Sequence, residues 1–466
     1  MLRFLRLPFA YRKLLKQSVF CVTIGCTFVL LLLASLPGSV PVSYLDRLLQ
    51  AQGTLGLRRS LNAPKPKPVP VCVGHNASRR EVEDLFCLPK PKFDPDIKNP
   101  CWWANYTNDL SQWMHRRRYR NDLLRPRVTG SRVLKCLPYA HIICCSKSGT
   151  TDLFVRLSMH PDYVKTGYMG KEHLYWSWNK YGLNYKGRQK EPFPFTGYVN
   201  SFNPVADRLL MSKDNRSRLI TVDASPPDMW DFRGWIWLPQ NRNLSEPQVL
   251  TPHIMQHLYR DPKFLVLMRD PVERVYTAYL FHIMGNNSFD FHRDVMKSIA
   301  LFNRCLTTRP SRRQCYFDTN LLEELKVEIP FMCYAVYIKK WLDVFPRKHF
   351  MFMKTERYSQ ETESHLFKIF DFLNMSRPSS ALFQQMLAFP KSYHTKVKDK
   401  AGPMLPETRA VLRKYAESCN QELADLLHDD AYLWKDELPP RSEGSQMVHN
   451  VISGHKSSAN LPLASS

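Results

Sequence analysis

The chain of 466 residues is short of acidic side chains and contains no Cys-x-x-Cys pair. Acidic residues number 42 against 66 lysines and arginines, which leaves a net charge of +24. A chain this basic attracts polyanions of any kind, whether nucleic acid, anionic lipid or anionic glycan. The missing Cys-x-x-Cys spacing argues against structural zinc, and the sequence shows no other metal-binding cluster. It also shows no internal repeat. Helix-like and strand-like stretches alternate through its middle, so one large α/β domain with appended segments is expected.

Charge is absent from one stretch near the N-terminus, Val19–Leu36, whose 18 residues suit a membrane-spanning helix. Five basic and no acidic residues precede it, so the positive-inside rule predicts a cytosolic tail over residues 1–18. A cleaved signal peptide is the alternative, but its apolar region is usually shorter, about 7–15 residues. We therefore predict a single-pass type II membrane protein with a lumenal remainder. That location argues against nucleic acid as a partner.

A lumenal location agrees with ten cysteines outside the predicted anchor and with six Asn-x-Ser/Thr sequons. Cys305 and Cys315 close a short loop and are the first choice for a disulfide. Further candidate pairs are Cys72 with Cys87, and Cys101 with Cys136. The sequons lie at Asn76, Asn105, Asn215, Asn243, Asn286 and Asn374.

Composition divides the rest of the chain into four regions. Residues 37–71 end in alternating prolines, which favour extended polyproline geometry and predict a stem. Residues 72–132 are irregular and aromatic and are expected to form a cap on the main domain. Residues 133–436 alternate strand-like and helix-like patterns and carry the main domain. Residues 437–466 are rich in serine and proline and predict a flexible tail.

The main domain begins with a strand that leads into a phosphate-binding loop. Ala140–Cys145 is an apolar run suited to a buried strand, and Thr151–His160 predicts an amphipathic helix. Backbone N–H groups and the helix dipole bind an anion at such a loop, and a lysine adds a point charge. The loop is not a Walker A motif, because its lysine precedes its glycine. Taken alone, the segment equally fits an ordinary strand-to-helix turn. The candidate phosphate-binding residues are Lys147, Ser148, Gly149, Thr150 and Thr151.

A second strand–helix unit follows more than a hundred residues later. Phe264–Met268 predicts a buried strand, and a helix is expected from about Val272, with Pro271 in its first turn. Arg269 at the end of the strand and Thr277 are expected to converge on a further phosphate, because ligands in open α/β sheets bind beyond the carboxyl ends of strands. By itself, the Arg-Asp-Pro sequence also fits a salt-bridged helix start.

Together these two units resemble the PAPS-dependent sulfotransferases, where PAPS is 3′-phosphoadenosine 5′-phosphosulfate. KSGTT matches the 5′-phosphosulfate loop of that family, and RDPVERVYTAY matches its 3′-phosphate element, with Thr277 where most members have serine. The resemblance covers about residues 100–436 and goes furthest with the Golgi enzymes that act as N-acetylgalactosamine 4-sulfate 6-O-sulfotransferases. Matching stretches include YAVYIKKWLDVF, the Cys305–Cys315 loop and AGPMLPETRAVLRKYAESCNQELADLL.

This resemblance implies a fold, a donor and an acceptor. The fold is α/β, a mostly parallel sheet flanked by helices with a P-loop-like core. The donor is PAPS and no metal is needed. The acceptor is an anionic glycan of the chondroitin or dermatan sulfate type.

The resemblance also assigns a catalytic base. In related glycosaminoglycan sulfotransferases, a Lys-Glu pair followed by aromatics places the glutamate against the acceptor hydroxyl, which makes Glu172 the base here. A base is needed because a sugar hydroxyl is a poor nucleophile until its proton is removed. His173 is the alternative base, since its ordinary pKa lies near neutrality. Tyr175 and Trp176 are expected to stack on the acceptor sugar, and Lys147 to neutralise the departing phosphate oxygen.

Two further stretches bear on the substrate. In VDASP, Ala224 stands where heparan-type enzymes have a lysine, which favours the chondroitin-type branch, and Asp223 is the next candidate base. A lysine-rich stretch aligns with a loop that closes over the nucleotide in this family, although a bare charge run is equally typical of a solvated face. Its residues are Lys396, Lys398, Lys400 and Gly402.

Two other functions are weighed against this one. A kinase or NTPase would require a Walker A or protein-kinase motif set and acidic Mg²⁺ ligands, and none is evident in the sequence. A non-catalytic glycan-binding relative is opposed by the intact Lys147, Arg269 and Glu172.

Overall fold

The computed structural model describes residues 70–74, 81–106, 126–166, 170–185, 187–188, 190–212, 216–282, 285, 287–390 and 396–435. These residues belong to one compact unit. The predicted cytosolic tail, the membrane anchor, nearly all of the stem and the C-terminal tail lie outside them. No helix within the described ranges combines the length and the apolar character that a bilayer span requires.

The described strands are β1 (Cys101–Asn105), β2 (Val128–Thr129), β3 (Arg132–Cys136), β4 (Ala140–Cys144), β5 (Leu183–Asn184), β6 (Gly187–Arg188), β7 (Val222–Asp223), β8 (Lys263–Met268) and β9 (Phe350–Lys354). The first described helices along the chain are α1 (Thr150–Ser158), α2 (Phe195–Asn200), α3 (Asn203–Met211), α4 (Thr251–Leu258), α5 (Pro271–Phe281), α6 (Ser288–Thr308) and α7 (Arg312–Tyr316). They are followed by α8 (Thr319–Glu324), α9 (Tyr334–Leu342), α10 (Thr355–Gln360), α11 (Thr362–Phe372), α12 (Ser380–Ala388), α13 (Lys396–Ala401) and α14 (Pro406–Leu427).

A four-stranded sheet in the order β7-β4-β8-β9 forms the centre of the fold, and all its strand pairs are parallel. Strands β4 and β8 are buried along almost their whole length, which is why both are continuous apolar runs rather than alternating ones. Along the chain, β4 is followed by β7 on one side and by β8 on the other. This reversal creates a switch point at the carboxyl end of β4, where ligands bind in such sheets.

Helices cover both faces of this sheet, as the resemblance implies. Leu265 and Leu267 of β8 pack in one apolar cluster with residues of α1, α11 and α12. Phe264, Val266 and Met268 point to the other face and pack with residues of α5 and α9. The alternation of side chains along the strand therefore feeds two cores.

The cap region is continuous with the main domain. β1, from the predicted cap, pairs antiparallel with β3, and Cys101 lies opposite Cys136 in this pairing. Strand pairing thus crosses the predicted boundary at residues 132 and 133. The disulfides Cys72–Cys87, Cys101–Cys136 and Cys305–Cys315 are present, which confirms the three candidate pairs. A further disulfide, Cys333–Cys419, was not predicted.

Candidate active site

The loop between β4 and α1 forms a tight turn at the carboxyl edge of the sheet. The Ser148 N–H donates to the Cys145 carbonyl at 3.1 Å, and the Thr355 hydroxyl donates to the Ser148 carbonyl at 2.8 Å. Lys147 and Gly149 have φ angles of 68° and 82°, both in the left-handed region. Glycine adopts this conformation freely, whereas for lysine it costs roughly 1–2 kcal/mol. Strain of this kind persists mainly where a functional site requires it.

The inside of this loop has unused hydrogen-bonding capacity. The Ser148 side chain is fully buried, and its hydroxyl has no hydrogen-bond partner among the described residues. Gly149 at the N-cap of α1 has no side chain to accept from the first-turn N–H groups. Orphaned donors at a helix N-terminus are what a phosphate or sulfate group satisfies. The predicted phosphate-binding residues, Thr150 and Thr151 in the first turn included, therefore fit the 5′-phosphosulfate of PAPS.

The side chain of Lys147 is held against an aromatic ring beside this loop. Its ammonium lies 3.7 Å from the centre of the Phe281 ring, a cation–π contact. Burial lowers the pKa of Lys147, the positive charges of Arg269 and Lys171 lower it further, and Glu172 opposes them. Three cations thus converge at one edge of the sheet, where a bound anion would offset their repulsion.

Arg269 joins the two predicted phosphate elements. Its guanidinium donates to the Lys147 carbonyl at 3.2 Å and lies 3.4 Å from the Thr277 hydroxyl oxygen. The Thr277 hydroxyl itself donates to the Glu273 carbonyl at 2.8 Å, one turn back on α5. The structure therefore brings together the residues that the sequence placed on two separate strand–helix units.

The lysine-rich stretch packs against α5 beside Arg269. Glu273 accepts from Lys398 at 3.3 Å and from Arg409 at 2.5 Å, and lies 3.8 Å from Arg269. The Tyr276 hydroxyl donates to the Gly402 carbonyl at 2.9 Å. Lys400, on α13, is exposed. The stretch thus borders the second phosphate element, with Lys398 rather than Lys400 contacting it.

Glu172 lies beside the phosphate loop and faces solvent. Its side chain is 42% exposed and forms an ion pair with Lys171. The Lys171 ammonium also lies 3.5 Å from the Thr150 hydroxyl. A solvent-accessible carboxylate is therefore connected to the donor loop through Lys171. Lys171 was not among the residues predicted from the sequence, although its place directly before Glu172 was the available signal.

His173 and Asp223 lie in the protein interior. The His173 ring is stacked on Phe202 with centroids 4.7 Å apart, and its Nδ1 is 3.4 Å from an Asp223 carboxylate oxygen. Asp223 also accepts from the hydroxyls of Ser225 at 2.7 Å and Tyr198 at 2.9 Å. Burial raises the pKa of Asp223, but His173, His141 and the Ser225 hydroxyl outweigh it and hold the pKa at about 2. Both alternative bases are thus buried, and the two ring nitrogens of His173 have no hydrogen-bond partner among the described residues.

The expected role of Tyr175 and Trp176 was wrong. Each is only 1% exposed, and Tyr175 is stacked on Tyr198 with centroids 4.5 Å apart. Large aromatic side chains contribute most to the stability of a fold when they are buried. These two are part of the core beneath Glu172. They support the loop that carries the carboxylate and do not present a surface to a sugar.

The segment after β7 holds the Glu172 loop through side chains that we did not predict. The Leu174 N–H donates to the Ser225 hydroxyl at 2.8 Å, and Leu174 has a left-handed φ of 51°. The Ser177 N–H and hydroxyl both donate to one Asp228 oxygen, at 3.0 and 2.6 Å. The Trp178 indole N–H donates to Asp231 at 2.5 Å. Residues 225–231 therefore fix the backbone on which Glu172 stands.

Comparison with known proteins places this site in a family. Residues 139–414 match the family model described as Sulfotransferase domain, a range that contains Lys147, Glu172 and Arg269. Carbohydrate sulfotransferase 15 of Rattus norvegicus is 31% identical over 386 residues, covering 77% of this chain and 68% of the rat protein. The Homo sapiens protein of the same name is 30% identical with the same coverage. A solved sulfotransferase from Alicyclobacillus acidocaldarius is 20% identical with a TM-score of 0.37, covering 64% of this chain and 99% of its own. The chain belongs to the carbohydrate sulfotransferase family.

Proposed function

We propose that this PAPS-dependent carbohydrate sulfotransferase acts on chondroitin or dermatan sulfate, at the 6-hydroxyl of N-acetylgalactosamine or its 4-sulfate. The observation that carries the proposal is the convergence of Lys147, Arg269 and Glu172 at the carboxyl edge of the parallel sheet. The acceptor class is supported by the relatives named Carbohydrate sulfotransferase 15 and by the net charge of +24. Ala224, in place of a lysine, supports the chondroitin-type branch over the heparan type.

The donor has one binding arrangement that uses all the convergent groups. Lys147 and the loop to Thr151 would hold the 5′-phosphosulfate, because among the described residues the Ser148 hydroxyl has no hydrogen-bond partner and the N-cap of α1 makes no side-chain hydrogen bond. Arg269 and Thr277 would hold the 3′-phosphate. Lys398 lies near enough to Glu273 to border that phosphate, and Lys400 and Gly402 follow on the same stretch.

The reaction requires a base that removes the proton of the acceptor hydroxyl. It also requires that the attacking oxygen and the departing oxygen lie in line at sulfur. The acceptor oxygen forms a bond to sulfur while the bond between sulfur and the phosphate oxygen breaks, and that oxygen leaves with the electron pair. Glu172 takes the hydroxyl proton, and Lys147 stabilises the charge that develops on the phosphate. Glu172 is preferred over His173 as the base because its side chain is 42% exposed, against 1% for His173. The remaining catalysis is positioning.

Substitutions at the three convergent residues test the proposal. Lys147→Ala and Arg269→Ala should each weaken binding of 3′-phosphoadenosine 5′-phosphate (PAP) by about tenfold or more, because each removes charge-assisted contacts. Glu172→Gln should bind PAP normally but lose about a hundredfold to ten-thousandfold in single-turnover transfer to chondroitin 4-sulfate. His173→Ala should retain more activity than Glu172→Gln. PAP binding should also weaken as the pH rises, at a lower pH than for an ordinary lysine, because the pKa of Lys147 is lowered.

The exposed Lys368 on α11 supplies a control, and Lys368→Ala should bind PAP as the wild type does. Normal turnover of Glu172→Gln with an inactive His173→Ala would reverse the two roles. Normal PAP binding but no transfer by the wild type to any desulfated or sulfated chondroitin, dermatan, heparan or keratan acceptor would instead favour a non-catalytic glycan-binding relative. Transfer only to another glycan would correct the acceptor alone.

We further propose that the chain is a Golgi type II membrane protein with its catalytic domain in the lumen. The support is the charge-free Val19–Leu36 stretch with its basic flank. Three sequon asparagines within the described ranges, Asn105, Asn243 and Asn374, are exposed. Glycosidase treatment of the expressed protein should therefore lower its apparent mass. Unchanged mobility, or digestion of the C-terminal residues by protease in intact vesicles, would contradict this topology.

A further inference from the structure

A second recess lies away from the active site, between β1 and α2. It has a volume of about 560 Å³, and its walls include Trp102 and Trp103 of β1 and Lys90 and Lys92 of the preceding segment. We call it the Trp102 cleft. None of its lining residues belongs to the candidate active site. One residue that lines the cleft, Leu258, precedes β8, whereas Arg269 of the candidate active site follows that strand. The cleft and the active site therefore lie towards opposite ends of β8.

The aromatic side of the Trp102 cleft is held in place by its neighbours. Trp102 packs edge-on against Phe93 with centroids 5.9 Å apart. The Trp103 indole N–H donates to Asp94 at 3.1 Å, and the Arg132 guanidinium lies 5.3 Å from its ring centre. Side chains alternate along a strand, so Trp102, which lies opposite Lys135, turns its ring to the cleft, while Trp103, opposite the buried Leu134, lies on the other face. Trp102 is partly exposed. An indole ring that is fixed and partly exposed offers an apolar face to a ligand, and a sugar ring has an apolar face of matching size.

The other side of the cleft is positively charged. Lys90 and Lys92 are exposed, and Lys135 forms part of the wall. The Lys135 ammonium donates to the amide oxygens of Asn200 at 2.7 Å and Asn203 at 3.2 Å, which orients it on the wall. The described residues that line the cleft include no aspartate or glutamate. The two exposed lysines, Lys90 and Lys92, with no carboxylate among the described lining residues, complement an anionic ligand.

We propose that the Trp102 cleft binds a sulfated or carboxylated oligosaccharide, and that it holds the acceptor polymer at a distance from the reacting sugar. The Trp102 ring would pack on a sugar ring, and Lys90 and Lys92 would pair with the anionic groups. The identification of this ligand with the acceptor rests on the proposed function, but the binding itself does not. A polymer held at two sites dissociates more slowly than one held at the active site alone.

Direct binding of a fluorescent chondroitin sulfate chain to the full-length, detergent-solubilised protein tests this site. The double variant Lys90→Ala/Lys92→Ala should bind the chain roughly tenfold to a hundredfold more weakly, because two charge-assisted contacts are lost. The double variant Lys297→Ala/Lys368→Ala removes the same charge from exposed helical positions and should bind normally. PAP affinity should be unchanged in both. The affinity of the wild type should fall with added salt and with desulfated chains.

Transfer kinetics distinguish this inference from the proposed function. With a long polymer, Lys90→Ala/Lys92→Ala should raise KM and leave kcat unchanged, while transfer to a tetrasaccharide should stay normal. Equal binding by the two double variants would overturn the cleft as a glycan site, even if transfer activity is intact. Absence of transfer with cleft-dependent binding intact would overturn the proposed function alone.

The Asn105 sequon on the cleft wall allows one competing occupant, the protein's own N-linked glycan. If chain binding through Lys90 and Lys92 appears only after Asn105→Gln, the cleft is filled by that glycan and the proposal is wrong. If Asn105→Gln binds the chain as the wild type does, the cleft is open to the polymer, as proposed.

Discussion

Asp228 is a carboxyl group in the interior, and its protonation state affects the loop that carries Glu172. It is 1% exposed, one of its oxygens accepts twice from Ser177, and the other has no hydrogen-bond partner among the described residues. Burial raises the pKa of Asp228 well above its ordinary range, and the nearby charge of Asp223 raises it further. A raised pKa favours the neutral acid, a hydrogen-bonding group that costs less to bury than a carboxylate.

We predict that Asp228→Asn preserves the fold and removes part of the pH dependence of stability. A raised folded-state pKa gives stability that is complete below the unfolded-state pKa, about 3.9, and that is lost as the pH rises through the folded-state value. Asparagine keeps the accepting oxygen and does not titrate. The melting temperature of the variant, measured against the wild type, should therefore improve from pH 5 to pH 9. A constant difference across that range would show that Asp228 is ionised in the folded protein.

Single residues could be predicted from the sequence only where their neighbours along the chain determine their position. Arg269 directly follows β8, and Lys147 and Gly149 lie in the loop after β4, so local pattern and strand geometry placed them. Asp228 contacts Ser177 across 51 residues, and no local pattern reports that contact. The error at Tyr175 and Trp176 has the same origin, because aromatic residues are common both in sugar-binding surfaces and in cores.

At the scale of elements, helix α5 is held by one buried carboxylate. Glu273 is paired with Lys398 of α13 and Arg409 of α14, and Arg269 lies one turn before it. Burial raises the pKa of Glu273, but Lys398 and then Arg409 outweigh it, so the pKa is lowered overall. One side chain thus links the second phosphate element to two later helices.

We predict that Glu273→Gln destabilises the protein by about 2 kcal/mol at pH 7. This loss of stability is smaller than the loss on breaking a fully buried ion pair, because Lys398 and Arg409 remain partly exposed. A lowered folded-state pKa gives stability that is present above the unfolded-state value, about 4.3, and lost as the pH falls through the folded-state value. The difference between variant and wild type in urea unfolding should therefore shrink at pH 3. The exposed Glu363 provides Glu363→Gln as a control, which should change stability little at either pH.

Element prediction succeeded where burial made the pattern simple. The strand expected at Ala140–Cys145 runs from Ala140 to Cys144, and the one expected at Phe264–Met268 begins one residue earlier. The helix expected at Thr151–His160 spans Thr150–Ser158. The short strand β7 was not predicted, because it is only two residues long and is defined by its pairing with β4, which lies far away in sequence.

For the molecule as a whole, long-range links join the later helices to the site. Cys333 immediately precedes α9, whose Tyr334 hydroxyl donates to the Arg269 carbonyl at 2.9 Å. Cys419 lies on α14, which also carries Arg413, 2.8 Å from Asp270 at the start of α5. The Cys333–Cys419 disulfide therefore joins two helices that both contact the second phosphate element. Ten cysteines allow too many pairings for sequence alone to have selected this one.

We predict that Cys333→Ala/Cys419→Ala lowers the free energy of unfolding by about 4–5 kcal/mol, and that Cys305→Ala/Cys315→Ala lowers it by about 3 kcal/mol. The order follows from loop closure, because the first disulfide spans 86 residues and the second spans 10. Guanidinium unfolding of both double variants measures the difference, and a reducing agent should bring the wild type below either variant. Only the first variant should also bind PAP more weakly, since α9 and α14 support Arg269 and α5. A larger loss of stability from the Cys305–Cys315 pair, with PAP binding unchanged in both variants, would show that the long-range disulfide does not support the site.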